Sequence, residues 1–489
     1  MARLVAPLIL ALAIALALPA TAGASGRQLT IMQDDQVFTG WSRHDPARAM
    51  AEAKALGADA IRATLVWEYV SPRPRSGRKP EDFDVANPNS PRYLWGPYDR
   101  VVEEARRQGL KVLLNVTGAI PRWASREPRR CRGRCVWKPS PRVFGEFVKA
   151  VARRYRGRVW MYSIWNEPNL GSWLLPQTRY TRAGPVDVAG RTYRQLWMSG
   201  WRAIARHDPG RRRNVLFGET AAIAEPIPML LAALCLDPFG RPFRGSLRRL
   251  QGCRRPRRLP IAGLAHHPYN KSATGSWRTR TRISTSLSLA YLWRARRLMR
   301  MAARRHRIPA GRGVWITEFG YQSRPPDRVH GLRLGRHARI LNESERLFFA
   351  DRHVRAVSQY ELFDPPLTRQ YNTGLRFKSG RLKPAYGAFR LPLVVTRLSR
   401  NRVEVWGCLR PSRGRRRVEI LARRRGGRSR VVASPLTNPA GYFRVSIRRR
   451  GASRLIWRAV RREADAAGQD VSYHSRPATP GPRVHYSYR

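Results

Sequence analysis

Residues 139–169 read PSPRVFGEFVKAVARRYRGRVWMYSIWNEPN. In its first half, Phe144, Phe147, Val148, Val151, Ala152 and Tyr155 recur at intervals of three and four, which puts them on one face of a helix. Ser140 suits the cap, Pro141 the first helical position, and Gly157 the end. Residues 159–165 then read as a buried strand, which gives way at once to polar Asn166-Glu167-Pro168-Asn169. The same alternation recurs outward in both directions. Strands are expected at 29–32, 58–65, 111–116, 159–165, 214–218, 261–266, 313–318 and 354–362, with strong amphipathic helices between many of them. Eight such units over residues 27–390 predict a (β/α)8 TIM barrel rather than an open doubly wound sheet. No Gly-x-Gly-x-x-Gly follows the first strand, so a dinucleotide site is not supported.

Beyond residue 391 the texture changes to short alternating runs at 403–406, 417–421, 430–433, 442–447 and 454–458, separated by Gly, Pro and Arg turns. They predict a C-terminal all-β, immunoglobulin-like sandwich over 391–479, followed by a flexible tail, 480–489, too poor in apolar residues to fold alone. At the other end, Arg3, the apolar run 4–18 and small residues around Ala22 predict a signal peptide over 1–24. About 15 apolar residues fall short of the roughly 20 that a spanning helix needs. The mature chain is therefore expected to be secreted or held at the cell surface. In that compartment Cys131 with Cys135, and Cys235 with Cys253, are expected to close two local disulfides, leaving Cys408 as a small buried residue. The His and Cys spacings match no zinc motif, so no metal and no organic cofactor is expected.

A chain of 489 residues is too long for one small domain, and 42% hydrophobic residues exclude wholesale disorder. Its charge is unusual: Lys+Arg 95 against Asp+Glu 32 gives +63, and only 8 of the basic residues are Lys. Two readings stay open. Either the Arg excess mediates weak adhesion to an anionic cell-surface polymer, or it is a compositional drift toward Arg with no partner behind it. A specific nucleic-acid partner is not expected of an exported chain with no recognition motif.

The chemistry is expected at the barrel rim. Glu167 follows the fourth strand and Glu318, in Trp315-Ile316-Thr317-Glu318-Phe319-Gly320, ends the seventh. Barrel enzymes keep their active sites at the C-terminal ends of the strands. Two carboxyl groups facing each other there suit glycosidic bond cleavage, in which one protonates the leaving oxygen while the other attacks the anomeric carbon. A retaining enzyme needs them about 5 to 5.5 Å apart.

On these two motifs the sequence resembles glycoside hydrolase clan A over residues 27–390, most like the cellulase-type family 5 with features of family 39. The resemblance implies a retaining β-glycosidase with Glu167 as acid/base and Glu318 as nucleophile. It implies Asn166 at the sugar 2-hydroxyl, Tyr269 of His266-His267-Pro268-Tyr269 bonded to the nucleophile, and Arg62 of Ala60-Ile61-Arg62 beside it. His267 is read either as a substrate contact or as a rim histidine orienting Tyr269. The sequence departs from family 5 on the third strand, where Asn115 stands in place of a His, and on the eighth, where Tyr360 stands in place of a Trp. Trp67, Trp123, Trp173, Tyr269, Tyr321 and Tyr360 fall in or beside strand-to-helix loops and are candidate stacking platforms for sugar rings. The expected partner is a β-linked oligo- or polysaccharide bound by a monomer. The rival reading is a non-catalytic carbohydrate- or polyanion-binding protein on the same scaffold.

Overall fold

The structure is a computed structural model in which residues 26, 28–270, 275–280, 285–366, 371–412, 414–464 and 469–486 are described. The signal segment expected over 1–24 lies outside the described residues. Eight parallel strands form a closed barrel: β1 (Leu29–Gln33), β2 (Ala60–Val66), β3 (Lys111–Thr117), β4 (Met161–Ile164), β5 (Val215–Ala221), β6 (Leu264–His267), β7 (Val314–Ile316) and β8 (Val354–Tyr360). Neighbours in sequence are neighbours in the sheet, and β8 closes onto β1. The quoted stretch folds as read, with helix Pro141–Arg154 capped by the Ser140 hydroxyl and burying Phe144, Phe147, Val148 and Val151.

Strand alternation stacks the barrel interior in layers. Ile31, Ala60, Leu113, Met161, Leu216, Ala265 and Ala356, one from each of seven strands, form an apolar plug, and Trp315 of the eighth packs against it. Two residues further along, the same inward face presents Gln33, Arg62, Asn115, Ser163, His267 and Thr317. A polar floor therefore lies directly on the apolar plug at the C-terminal mouth.

Strand β5 departs from this rhythm. Its pairing with β6 shifts between Gly218 and Thr220, and Gly218 adopts φ +115° at a point where a Cβ would lie 2.5 Å from the Ala265 carbonyl oxygen. The irregularity turns Glu219, not residue 218, into the barrel.

The C-terminal residues form two antiparallel sheets, one of Leu393–Ser399, Arg402–Cys408 and Tyr442–Arg448, the other of Arg430–Ala433, Glu419–Arg423, Ile456–Ala464 and Asp470–His474. Val395, Val405, Ile420, Phe443, Trp457 and Ala459 fill the space between them. This all-β unit packs on barrel helix Leu334–Ala350: Phe349 meets Tyr442 at 4.3 Å and Trp406 at 5.4 Å, and Arg410 pairs with Glu345 through bonds of 2.5 and 3.1 Å, both side chains buried.

Of the tail expected to be flexible, 480–489, residues 480–486 are described. Gly481 bridges to Thr396, and Val484 and Tyr486 are buried against the barrel side of the core. Cys131 pairs with Cys135, Cys235 pairs with Cys253, and Cys408 is free and buried. Among the described residues no helix is long and apolar enough to cross a membrane.

Candidate active site

Glu167 and Glu318 meet at the mouth of the barrel, each with a side chain 15% exposed. A carboxylate oxygen of one lies within 4.8 Å of a carboxylate oxygen of the other. Glu167 is set by backbone. The β4 exit is tied to β5 by Asn169, which donates to the Ala221 and Ile223 carbonyls and accepts from Ala221 N–H, and Glu167 N–H donates to the Glu219 carbonyl at 2.7 Å. Asn115, the departure on β3, donates to the Trp165 carbonyl at 2.7 Å and so fixes the same exit from below. Trp165, Glu167 and Glu219 all hold positive φ (68°, 41° and 46°), an uncommon conformation for residues with a side chain that persists where the surrounding structure over-determines the backbone.

Beneath the pair lies a charged layer closed to solvent. His267 donates from Nδ1 to Glu167 Oε1 at 3.0 Å and from Nε2 to Glu219 Oε2 at 2.7 Å, with Glu318 Oε2 at 3.8 Å from Nδ1. Arg62 reaches Asn166 Oδ1 at 2.8 Å, Glu219 Oε2 at 3.1 Å and Glu318 Oε2 at 3.4 Å. Thr317 donates to Glu219 at 2.8 Å, and Tyr269 donates to Glu318 Oε1 at 3.0 Å.

Burial alone would lower the His267 imidazole, but the charge of Glu318 and the bonds to Glu167 and Glu219 carry it up to about 10, so it is an imidazolium at neutral pH. Burial would raise Glu219, yet Arg62 and His267 hold it down to about 2. Glu318 moves the other way: burial raises its carboxyl, and His267 and Arg62 only partly oppose that.

Of the expected residues, Asn166, Trp173, Tyr269 and Tyr360 line a cleft of about 670 Å³ together with the two glutamates. Others stand elsewhere. Arg62 and His267 are wholly buried beneath the carboxylates, and Arg62 gives its shortest contacts to Asn166 and Glu219 rather than to Glu318. Trp67 is no platform: it is fully buried and stacks on Phe147 at 4.9 Å. Trp123 packs edge-on to Trp67 and Phe83 and donates to the Pro72 carbonyl. Tyr321 is buried with its hydroxyl on Ser344. Trp67 and Tyr321 belong to the core, and Trp123 is half-buried against it.

The exposed rings at the mouth are instead Trp41, Tyr69 and Tyr371, 47%, 48% and 51% exposed, the first two in edge contact at 5.3 Å. Gln33, Asp35 and Glu361 also line the cleft, with Gln36, Thr64 and Val66, and were, like Glu219, not expected from the sequence. Glu167, His267 and Glu318 each present a metal-ligating atom within 4.8 Å of the others. Both His267 nitrogens are engaged by carboxylates, which makes the trio a proton-sharing cluster rather than an open ligand set.

No family model and no curated protein matches the chain. Solved structures do. A glucosidase from Croceicoccus marinus is 12% identical, with a TM-score of 0.52 over 87% of this chain and 94% of that one. A psychrophilic glycoside hydrolase family 10 endo-β-1,4-xylanase is 12% identical, with a TM-score of 0.44 over 74% and 96%. The family 1 β-glucosidase of Thermotoga maritima is 12% identical, with a TM-score of 0.41 over 70% and 84%. The expected likeness to the glycoside hydrolases thus holds at the level of the fold, which this chain shares with the glucosidase.

Proposed function

We propose that the protein is an exported retaining β-glycosidase that hydrolyses a β-linked oligo- or polysaccharide by double displacement. The observation that carries this reading is that one carboxylate oxygen of Glu167 lies within 4.8 Å of one carboxylate oxygen of Glu318 at the barrel mouth. Inverting enzymes keep their pair about 6.5 to 9.5 Å apart to admit a water. In the first step Glu167 gives its proton to the glycosidic oxygen as the bond to the anomeric carbon breaks, and a Glu318 oxygen forms the new bond to that carbon. In the second, Glu167 takes a proton from water, whose oxygen displaces Glu318 and restores its carboxylate. Tyr269 and Arg62 orient Glu318, and the His267 imidazolium lies within reach of both carboxylates to stabilise negative charge as it shifts between them. Asn166, held by Arg62, faces the cleft where a sugar hydroxyl adjoins the reacting carbon.

Export is part of the reading, supported by two disulfides of the kind kept in oxidising compartments. Adhesion of the C-terminal unit to an anionic surface polymer is the second part. It is supported by a groove of about 630 Å³ where Arg423, Arg424, Arg428, Arg430, Arg449 and Arg450 converge from separate runs of the chain. The test is release of aglycone from aryl β-glucosides, xylosides, mannosides and galactosides. Glu318→Ala is expected to abolish release while ligand binding persists, and added azide should restore turnover with inverted anomeric configuration. Glu167→Gln should lower release by about 10³-fold. A wild-type chain that binds these sugars and releases none establishes the binding-protein reading instead.

A further inference from the structure

The outer wall of the barrel carries a second concave site. A cavity of about 530 Å³ opens where the start of helix Pro141–Arg154 meets the flank of helix Val188–His207, and segment 252–259, tied down by the Cys235–Cys253 disulfide, supplies the rest of its wall. It shares no lining residue with the catalytic cleft. Six arginines from four separate stretches of chain line it, Arg126, Arg142, Arg194, Arg202, Arg255 and Arg257, and no Asp or Glu does. Only Arg142 has a carboxylate partner, Glu146 at 2.6 Å. Arg126, Arg202, Arg255 and Arg257 are exposed, and among the described residues their side chains make no hydrogen bond and no ion pair.

Arg194 differs from these four. It is partly buried, and its Nη1 and Nη2 donate to the Ala232, Gln251 and Gly252 carbonyls and to the sulfurs of Cys235 and Cys253, at 2.6 to 3.3 Å. Every one of these acceptors is neutral. The buried guanidiniums of Arg62 and Arg410, by contrast, lie against Glu219 and Glu345. Burial, with the charge of Arg191 beside it, lowers the Arg194 guanidinium to about 10, which still leaves it charged at neutral pH. A drift toward arginine places arginines wherever the surface admits them, but it does not hold one away from water with no counter-charge. The first turn of helix Pro141–Arg154, whose free N–H groups carry partial positive charge, adds to the same field.

We propose that this cavity is a binding site, apart from the catalytic cleft, for a compact and multiply charged oxyanion ester: the phosphate or sulfate groups of a single sugar unit. Guanidinium forks pair with such groups through two parallel bonds, and the four unpartnered arginines supply them around the uncompensated charge of Arg194. Met198, Pro256 and Leu259 give the wall apolar faces for a ring. The volume is that of a small-ligand site and suits one unit rather than a length of polymer. The inference does not depend on the glycosidase reading.

Calorimetric titration of the full chain at about 0.15 M salt tests it, with glucose 1,6-bisphosphate and a trisulfated heparin disaccharide as probes. Binding of the bisphosphate alone assigns the site to phosphate esters, binding of the disaccharide alone assigns it to sulfate esters, and binding of both leaves it open to either oxyanion; all three uphold the site. Binding of neither overturns it. Arg202→Gln, Arg255→Gln and Arg257→Gln together remove three side chains that bond to nothing in the fold, and should weaken the bound probe at least ~30-fold with an unchanged melting curve. The same change at Arg297, Arg300 and Arg304, exposed on helix Trp293–Arg304, should leave affinity within about threefold. Equal weakening by the two sets would assign binding to net charge and overturn the proposal. Glu318→Ala should bind the probe as the wild type does, and loss of binding in that variant would place the probe in the cleft and overturn it as well.

Discussion

Glu219 is the acceptor on which both buried cations of the site converge, and it touches no solvent. Glu219→Ala would leave Arg62 and His267 in a closed layer with one counter-charge removed, and a broken buried pair of this kind costs about 3 to 5 kcal/mol. A cooperative unfolding curve measures it. The pH dependence follows from the shifts. Glu219, held down to about 2 from an ordinary 4.5, contributes stability that is complete above pH 4.5 and is lost as pH falls toward 2. His267, raised to about 10 from 6.5, contributes stability that is complete below pH 6.5 and is lost as pH rises toward 10. The melting-temperature gap between wild type and Glu219→Gln should therefore be widest between pH 4.5 and 6.5 and narrow on both sides; a gap flat with pH would show that the layer is not ionised as described. Glu167 and Glu318 were legible because each closes a buried, mostly apolar strand, and Tyr269 through the resemblance of His267-Pro268-Tyr269 to a family 5 motif. Glu219 was not, because strict alternation from Leu216 points residue 218 inward, and only the shift at Gly218, a property of the β5–β6 pairing, brings Glu219 in its place.

All eight barrel strands were legible in the sequence, because a strand sealed by helices on one side and a plug on the other must be apolar along most of its length. The change to an all-β pattern was legible from the change in period, and the antiparallel strands begin at Leu393. What lies across that boundary was not, since packing between distant elements leaves no local pattern: Phe349, Trp406 and Tyr442 look like three unrelated core residues until helix Leu334–Ala350 meets the sheet of Leu393–Ser399, Arg402–Cys408 and Tyr442–Arg448. This contact sets the expectation for a truncated chain. Removal of residues 391–489 uncovers Phe349 and leaves the buried Glu345 carboxylate without Arg410, so the isolated barrel is expected to be poorly soluble, or to melt well below the full chain, although no rim residue has been removed. Arg410→Ala should reproduce much of this loss, about 3 kcal/mol or more by chemical denaturation, whereas replacing Arg410 and Glu345 together by Met and Leu should cost far less. If the truncated chain melts at the full-chain temperature, the two units are energetically independent.

At the scale of the whole molecule the charge is partitioned. Carboxylates line the cleft, and arginines line the outer cavities. On the C-terminal unit the three glutamates that carry ion pairs, Glu404, Glu419 and Glu463, are bound to Arg346 and Arg444, to Arg462, and to Arg461, which leaves the groove of Arg423, Arg424, Arg428, Arg430, Arg449 and Arg450 without a carboxylate. Such a concentration of like charge attracts a polyanion over a distance set by screening, ~10 Å at 0.1 M salt and ~3 Å at 1 M. The full chain should therefore be retained on an anionic-polymer column at 0.1 M salt and released well below 1 M. The groove and the bulk composition predict different behaviour of one variant. If adhesion is a general effect of +63, changing Arg424, Arg428, Arg449 and Arg450 to Gln removes four charges among many and barely moves the salt at which the chain elutes. If the groove is the site, the same four changes remove most of its phosphate- or carboxylate-pairing capacity, elution falls to markedly lower salt, and turnover of a small aryl glycoside is unaltered because the cleft is on the other unit. Four Arg-to-Gln changes on the exposed face of the barrel helices are the control, and equal shifts from both sets would assign the adhesion to composition alone.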